Sequence, residues 1–298
     1  MTADDAPRRC WHAAAVRGIG RLLGRLSPAR LMACGRLLAR LPGVNRGRRR
    51  IAARNIALCF PELDAAARRA LVCRTLADNS IGALDTLRAW FAPRERLGDL
   101  GTVQGLEHLR QARAEGHGVV VVGAHYESIE MAMRLVAEAN GRPMPILVRR
   151  YNDPCLEREI DIGRCRYAGR TYDKKDIAGF AAAVQAGEAA FYVPDQNASR
   201  RHVFVPFYGV AAATLGVLGG VLRRTGGRVL LMWCRRGEDG RYRIDLEPAW
   251  PGWPGEDETA NAARYMRWIE DRSREAPSQY LWVHRRFKTR PPGEPGVY

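Results

Sequence analysis

Val119-Val-Val-Val-Gly-Ala-His-Tyr-Glu-Ser-Ile-Glu130 is the stretch whose reading decides the fold. Four consecutive valines ending at Gly123 form a short, β-branched, fully apolar run, the pattern of a strand buried on both faces of a parallel sheet. Gly123-Ala124 supplies a turn, and a helix is expected from about Ser128 to Asn140, with Ser128 as its cap. Outward from this unit the same alternation continues. Pro145–Val148 reads as a second strand, and Ala189–Val193 as a third that stops at Pro194-Asp195. Arg228–Cys234 and Tyr242–Leu246 read as further strands. Helices are expected near 154–163, 174–187, 214–224 and 257–275, with the Pro/Gly-rich 248–256 as a loop and 290–298 extended. Alternation of this kind argues an α/β fold: a mixed, mainly parallel central sheet flanked by helices.

The N-terminal part has a different texture. Between Ala6 and Pro61 there are thirteen arginines and no Asp or Glu. Val16, Ile19, Leu22, Leu23 and Leu26 recur at helical spacing, with Arg17, Arg21 and Arg25 on another side. Leu31, Cys34, Leu37, Leu38 and Leu41 repeat the pattern after Ser27-Pro28, a helix-start signal. Amphipathic basic helices of this composition lie on anionic membrane surfaces; a pair of core-facing helices with a solvated basic face is the plainer alternative. The expected organisation is a basic, amphipathic helical membrane-associating region over 1–60 and an α/β domain over 61–298.

The whole chain of 298 residues carries a formal charge of +16, which calls for an anionic partner. Nucleic acid is not expected, because no zinc knuckle, aromatic RNA-binding strand or helix-turn-helix is visible. The seven cysteines are odd in number and scattered without a CxxC pair, so neither a disulfide framework nor a thiolate zinc site is expected, and a reducing compartment is the simplest home. No secretory leader and no long uncharged span are expected either.

Ligands of open α/β sheets gather beyond the carboxyl ends of the strands. Two polar clusters fall there: His125 to Glu130, and Asp195-Gln196-Asn197. On a continuous helix, His125 and Glu130 would point about 140° apart, so they meet only if His125 sits in the turn and Glu130 on the helix. Glu130 would then accept from one imidazole N–H, leaving the other nitrogen to take a proton from an attacking hydroxyl. Glu127, two residues from His125, is expected to face elsewhere. No nucleophile elbow, P-loop, HExxH or dinucleotide fingerprint is present, which favours a cofactor-independent reaction.

Several blocks in order then resemble one family. Arg54-Asn-Ile-Ala-Leu-Cys-Phe-Pro-Glu62, Gly123–Glu130, Phe191-Tyr-Val-Pro-Asp-Gln196, Val203–Gly209 with Ala213-Thr214, and Gln279–Arg290 are similar to the bacterial lipid A biosynthesis acyltransferases, the lauroyl and myristoyl transferases of endotoxin assembly. The resemblance runs from about residue 45 to the end of the chain. It implies transfer of a fatty acyl group from acyl carrier protein to a hydroxyl of an anionic glycolipid, on the cytoplasmic face of the bacterial inner membrane, with no cofactor. His125 would be the general base and Glu130 its orienting partner. Arg164, in Ile162-Gly-Arg-Cys-Arg166, and Asp195 would fall on the family's functional arginine and aspartate. Arg149, Arg166 and Gln196 are the candidates for substrate contact. Two departures stand out: Asn197-Ala198-Ser199 where the family often has an acidic residue and a glycine, and an arginine-broken N-terminal segment where it usually has an apolar anchor. Acylation of another lipid (a lysophospholipid, an ornithine lipid or a polyene) and non-catalytic membrane or nucleic-acid binding are the alternatives.

Overall fold

A computed structural model describes residues 10–41 and 43–298, so Arg8 and Arg9 of the basic segment lie outside the described residues. The described residues begin with four helices: α1 (Trp11–Leu23), α2 (Pro28–Arg40), α3 (Arg46–Cys59) and the long α4 (Ala65–Phe91). Strand β1 (Gly101–Gln104) and α5 (Leu106–Ala114) lead to β2 (Val119–Gly123), α6 (Ile129–Asn140) and β3 (Ile146–Val148). Then come α7 (Pro154–Ala168), β4 (Thr171–Asp173), α8 (Ile177–Gln185) and β5 (Ala189–Tyr192). A hairpin, β6 (His202–Phe207) and β7 (Val210–Leu215), precedes α9 (Leu218–Thr225), β8 (Arg228–Arg236), β9 (Tyr242–Pro248) and α10 (Glu258–Glu275).

Seven strands form one sheet in the order β1-β9-β8-β2-β5-β3-β4, and β6 and β7 pair separately. Every pairing in the large sheet is parallel except β8 with β9. The four valines of β2 lie between β5 and β8 and are fully buried, each side chain contributing about 1.5–3 kcal/mol relative to exposure. After β2 the chain builds β3, β4 and β5 on one side and then returns to lay β8 on the other. The carboxyl ends of β2 and β5 therefore lie at a topological switch point, where such sheets open a crevice.

Two expectations need correction here. Thr214 lies within β7 instead of opening a helix, which starts at Leu218. Tyr208 and Gly209, both with positive φ, turn the chain so that Val210–Leu215 pairs with β6, and this long-range pairing overrides the helical bias of the alanines. The strained Tyr208 is held by Glu270, whose carboxylate accepts its backbone N–H at 2.7 Å. Secondly, Cys10 and Cys155 form a disulfide, with Cα atoms 5.6 Å apart. It joins residues 145 apart in sequence, a proximity that no local spacing pattern reveals.

The N-terminal helices are apolar on two sides. Ala13, Gly20 and Leu23 of α1 and Leu31, Met32 and Gly35 of α2 are buried, packing toward α4. Trp11, Ile19, Leu22, Leu37 and Leu41 are exposed. The expected single apolar faces are thus divided between the protein and the outside. Among the described residues, no helix is long and apolar enough to cross a membrane.

Candidate active site

Strand register brings the two polar clusters together. Val122 of β2 sits opposite Tyr192 of β5, so His125 and Asp195, each three residues further on, emerge side by side. Asp195 is buried, and one of its carboxylate oxygens accepts from the His125 ring at Nδ1. The other accepts the His125 backbone N–H at 2.9 Å and the Tyr280 hydroxyl at 3.2 Å. Residues 279–281 strap the turn from outside. Gln279 O accepts from Glu127 N–H at 2.9 Å, Leu281 N–H donates to His125 O at 3.1 Å, and Tyr126 and Tyr280 form an isolated bridge. Asn55 anchors the strap by donating to Trp282 O and His284 O at 2.6 and 2.8 Å, so the first and last sequence blocks meet behind the site.

Glu130 is not the partner of the imidazole. One oxygen accepts from Arg164 through Nε at 3.0 Å and through Nη2, and the other accepts from Trp90 Nε1 at 2.8 Å and from the Tyr167 hydroxyl. These four donors come from α4 and α7 and saturate the carboxylate. The ring nitrogen expected to meet Glu130 is instead taken by Asp195, whose strand end is fixed beside His125. Ser128 occupies the cap position of α6 without capping it; its hydroxyl accepts from Arg236 at 3.3 Å.

The electrostatics follow from this division. Burial pulls the His125 pKa down, but the charge and hydrogen bond of Asp195, helped by nearby Glu130, outweigh it, and the net shift is upward. Burial pushes both carboxylates up, yet each ends below its ordinary value. Asp195 is held ionised by His125, and Glu130 by Arg164 with Tyr167 and Trp90. Burial lowers His284 to about 4, and its Nε2 accepts the Asn197 N–H at 3.1 Å, as a neutral ring must. Asn197, the departure noted above, also exchanges hydrogen bonds with Thr289 through its side chain and so ties the β5 end to the C-terminal segment.

His125 opens onto a cleft of about 700 Å³. Trp90, Met133, Ile146, Val148 and Tyr192 give it an apolar part; Arg48, Arg149, Arg164 and Lys174 give it cationic groups. Arg149 and Gln196, two of the candidates for substrate contact, line it, both exposed. Arg166 does not. Two residues beyond Arg164 on α7, it points about 200° round the helix and donates to Phe91 O at 3.1 Å. Glu127 faces the cleft rather than elsewhere, and accepts from Asn79 at 2.9 Å. Sequence reasoning missed Trp90, Tyr167, Tyr280 and His284. The last two lie within the closing block; the first two carry no local signal.

The chain matches the family described as bacterial lipid A biosynthesis acyltransferase over residues 5–289, nearly its whole length. It belongs to that family. Among curated relatives, it is 36% identical to the lipid A biosynthesis lauroyltransferase of Escherichia coli (strain K12), covering 84% of this chain and 82% of the relative. It is 34% identical to the palmitoleoyltransferase of the same strain with the same coverage. With the myristoyltransferase the identity is 27%, over 94% of this chain and 87% of the relative. This lipid A acyltransferase is therefore an enzyme of lipopolysaccharide synthesis acting on a glycolipid acceptor, and the non-catalytic alternative falls away. The cleft at the β2 and β5 ends is its candidate active site.

Proposed function

We propose that this enzyme transfers a fatty acyl group from the thioester of acyl carrier protein to a hydroxyl of an anionic lipid A precursor, with His125 as general base. The observation that carries this reading is the imidazole itself. Its Nδ1 is held by buried, ionised Asp195, its Nε2 has no hydrogen-bond partner among the described residues, and His125 lines the cleft.

In this mechanism the acceptor hydroxyl gives its proton to Nε2 as its oxygen attacks the thioester carbonyl. Asp195 fixes the tautomer and stabilises the imidazolium that forms. The tetrahedral oxyanion collapses, the C–S bond breaks, and the departing thiolate takes the proton from Nε2. Arg164 has donated Nε and Nη2 to Glu130, which leaves Nη1 for a developing or resident negative charge in the cleft. Glu130 is thus a positioning residue for Arg164 and an electrostatic support for the imidazolium. Arg48, Arg149 and Lys174 suit phosphate groups of the acceptor, and the apolar wall suits the acyl chain. Exposed Trp11, Ile19, Leu22, Leu37 and Leu41, set among arginines, support work at an anionic membrane surface, the cytoplasmic face of the inner membrane.

The test is acyl transfer by His125→Ala with purified acyl carrier protein thioester and a lipid A precursor. Loss of about 10³-fold or more in kcat, with folding intact, is expected. Transfer at the wild-type rate would refute the base assignment. Lipid A mass spectra of a strain lacking the gene are expected to miss one acyl chain; an unchanged spectrum would refute the acceptor.

A further inference from the structure

A second concavity, of about 610 Å³, lies between the C-terminal half of α2, the start of α3 and the middle of α4. Arg36, Arg40, Arg46, Arg49 and Arg74 line it, and no Asp or Glu does. All five are exposed, and among the described residues none forms an ion pair. Elsewhere the molecule pairs its arginines readily: Arg150 meets Glu157 and Asp161, and Arg272 meets Glu247 and Glu275. Five like charges drawn from three helices around one hollow repel one another unless an anion joins them.

Two further observations point to what fills the groove. Asn45, buried in its wall at the N-cap position of α3, makes no side-chain cap to that helix. The first amides of α3 therefore add partial positive charge at the same edge and lack side-chain acceptors. Beside the arginines, Leu37, Leu41 and Val44 are large, apolar and exposed. A free anion needs no such rim, and an acidic protein surface would leave it against water. A phosphate attached to acyl chains satisfies both halves, since guanidinium forks match phosphate oxygens.

From these features we infer that the groove binds the phosphate of an anionic membrane lipid, with Leu37, Leu41 and Val44 entering the apolar side of the headgroup layer. This rests on the membrane-surface reading above and gives it a site. The first turn of α3 lies between groove and cleft, with Arg46 and Arg49 lining one and Arg48 the other. A lipid held in the groove would thus set the cleft at headgroup depth, where a glycolipid acceptor presents its hydroxyls.

Vesicle sedimentation with the full chain tests this. The vesicles are phosphatidylcholine alone or phosphatidylcholine with phosphatidylglycerol. The groove variant is Arg36→Gln/Arg40→Gln; the control is Arg110→Gln/Arg142→Gln, the same charge change outside the groove. The wild type should bind only the anionic vesicles. The groove pair should bind them about 25-fold more weakly, about fivefold per arginine, and the control within about threefold of wild type, with unfolding temperatures unchanged. Equal losses in both pairs would reduce the effect to net charge and overturn the groove. Undiminished binding by the groove pair would overturn it while the membrane reading stood. Failure of the wild type to bind any vesicle would remove the membrane reading itself. Displacement from vesicles by millimolar inorganic phosphate would assign the groove to a free anion. Intact vesicle binding with lost transfer from acyl carrier protein would assign it to that protein. Either result overturns the lipid assignment.

Discussion

Asp195→Asn replaces the carboxylate behind His125 with an amide of the same shape, and the structure allows the consequence to be worked out. Asp195 accepts three hydrogen bonds: from Nδ1–H, from the His125 backbone N–H and from the Tyr280 hydroxyl. An amide offers one accepting oxygen. If its NH₂ faces the ring, the imidazole carries its proton on Nε2 and cannot accept the acceptor's proton. If its oxygen faces the ring, the backbone N–H loses its acceptor and the imidazolium loses its counter-charge. Either outcome removes most general-base assistance, about 10³- to 10⁴-fold in kcat, or roughly 4–5.5 kcal/mol of transition-state stabilisation. KM should move little, because Asp195 is buried behind His125 and does not line the cleft. The base works as neutral imidazole, so activity rises with pH through the His125 pKa. That pKa lies above its ordinary value of 6.5 in the wild type, and the acid limb of kcat/KM should fall to lower pH once Asp195 loses its charge. The assay is transfer of labelled acyl groups from acyl carrier protein to a lipid A precursor across a pH series. A variant within threefold of wild type, with an unmoved acid limb, would refute the assignment of Asp195 as the orienting group. A limb that moves only in Glu130→Gln would return that role to Glu130.

Three other predictions rest on single contacts. Arg164→Lys removes the forked bond that neutralises buried Glu130, and should lower stability by about 1–3 kcal/mol and kcat by about 10²-fold; a stability loss with full activity would make Arg164 structural only. Burial raises Glu127 to about 8 from an ordinary 4.5, so the folded state binds a proton that the unfolded chain has lost. Its stabilising effect is complete below pH 4.5 and fades as pH rises to about 8. Glu127→Gln, which can still accept from Asn79, should therefore be more stable than wild type at pH 8 by up to several kcal/mol, each tenfold change in proton affinity being worth about 1.4 kcal/mol, with the gap closing toward pH 5. Parallel denaturation curves at both pH values would contradict it. Finally, thiol titration of the oxidised, denatured chain should find five cysteines and the reduced chain seven; seven in both would show that Cys10 and Cys155 are not joined.

Much of the architecture was legible in the chain, for reasons that particular elements make plain. Val119–Val122 could only be a strand buried on both faces, and the alternation around it gave the class of sheet. The helix starting at Pro28 carries its own start signal, Ser27, which caps it with a side-chain oxygen. His125 and Asp195 were legible as strand-end residues. The 27-residue α4 was not, because it is enclosed by α1, α2, α3, α6 and α7, and its many buried sides blur any single apolar stripe. The β6–β7 hairpin was misread because alanine-rich β7 owes its state to pairing rather than propensity.

The sequence by itself therefore determined the strand that centres the sheet, the two polar clusters at its mouth, the family and the excess of arginine. Those properties are local or cumulative, written in runs, spacings and block order. Only the tertiary structure decided which acid hydrogen-bonds the histidine. That choice depends on the register of β2 against β5, which sets Asp195 under His125, and on Trp90, Arg164 and Tyr167 converging on Glu130 from two helices. A carboxylate's role is fixed by the donors that reach it, and here most of those donors are distant in sequence.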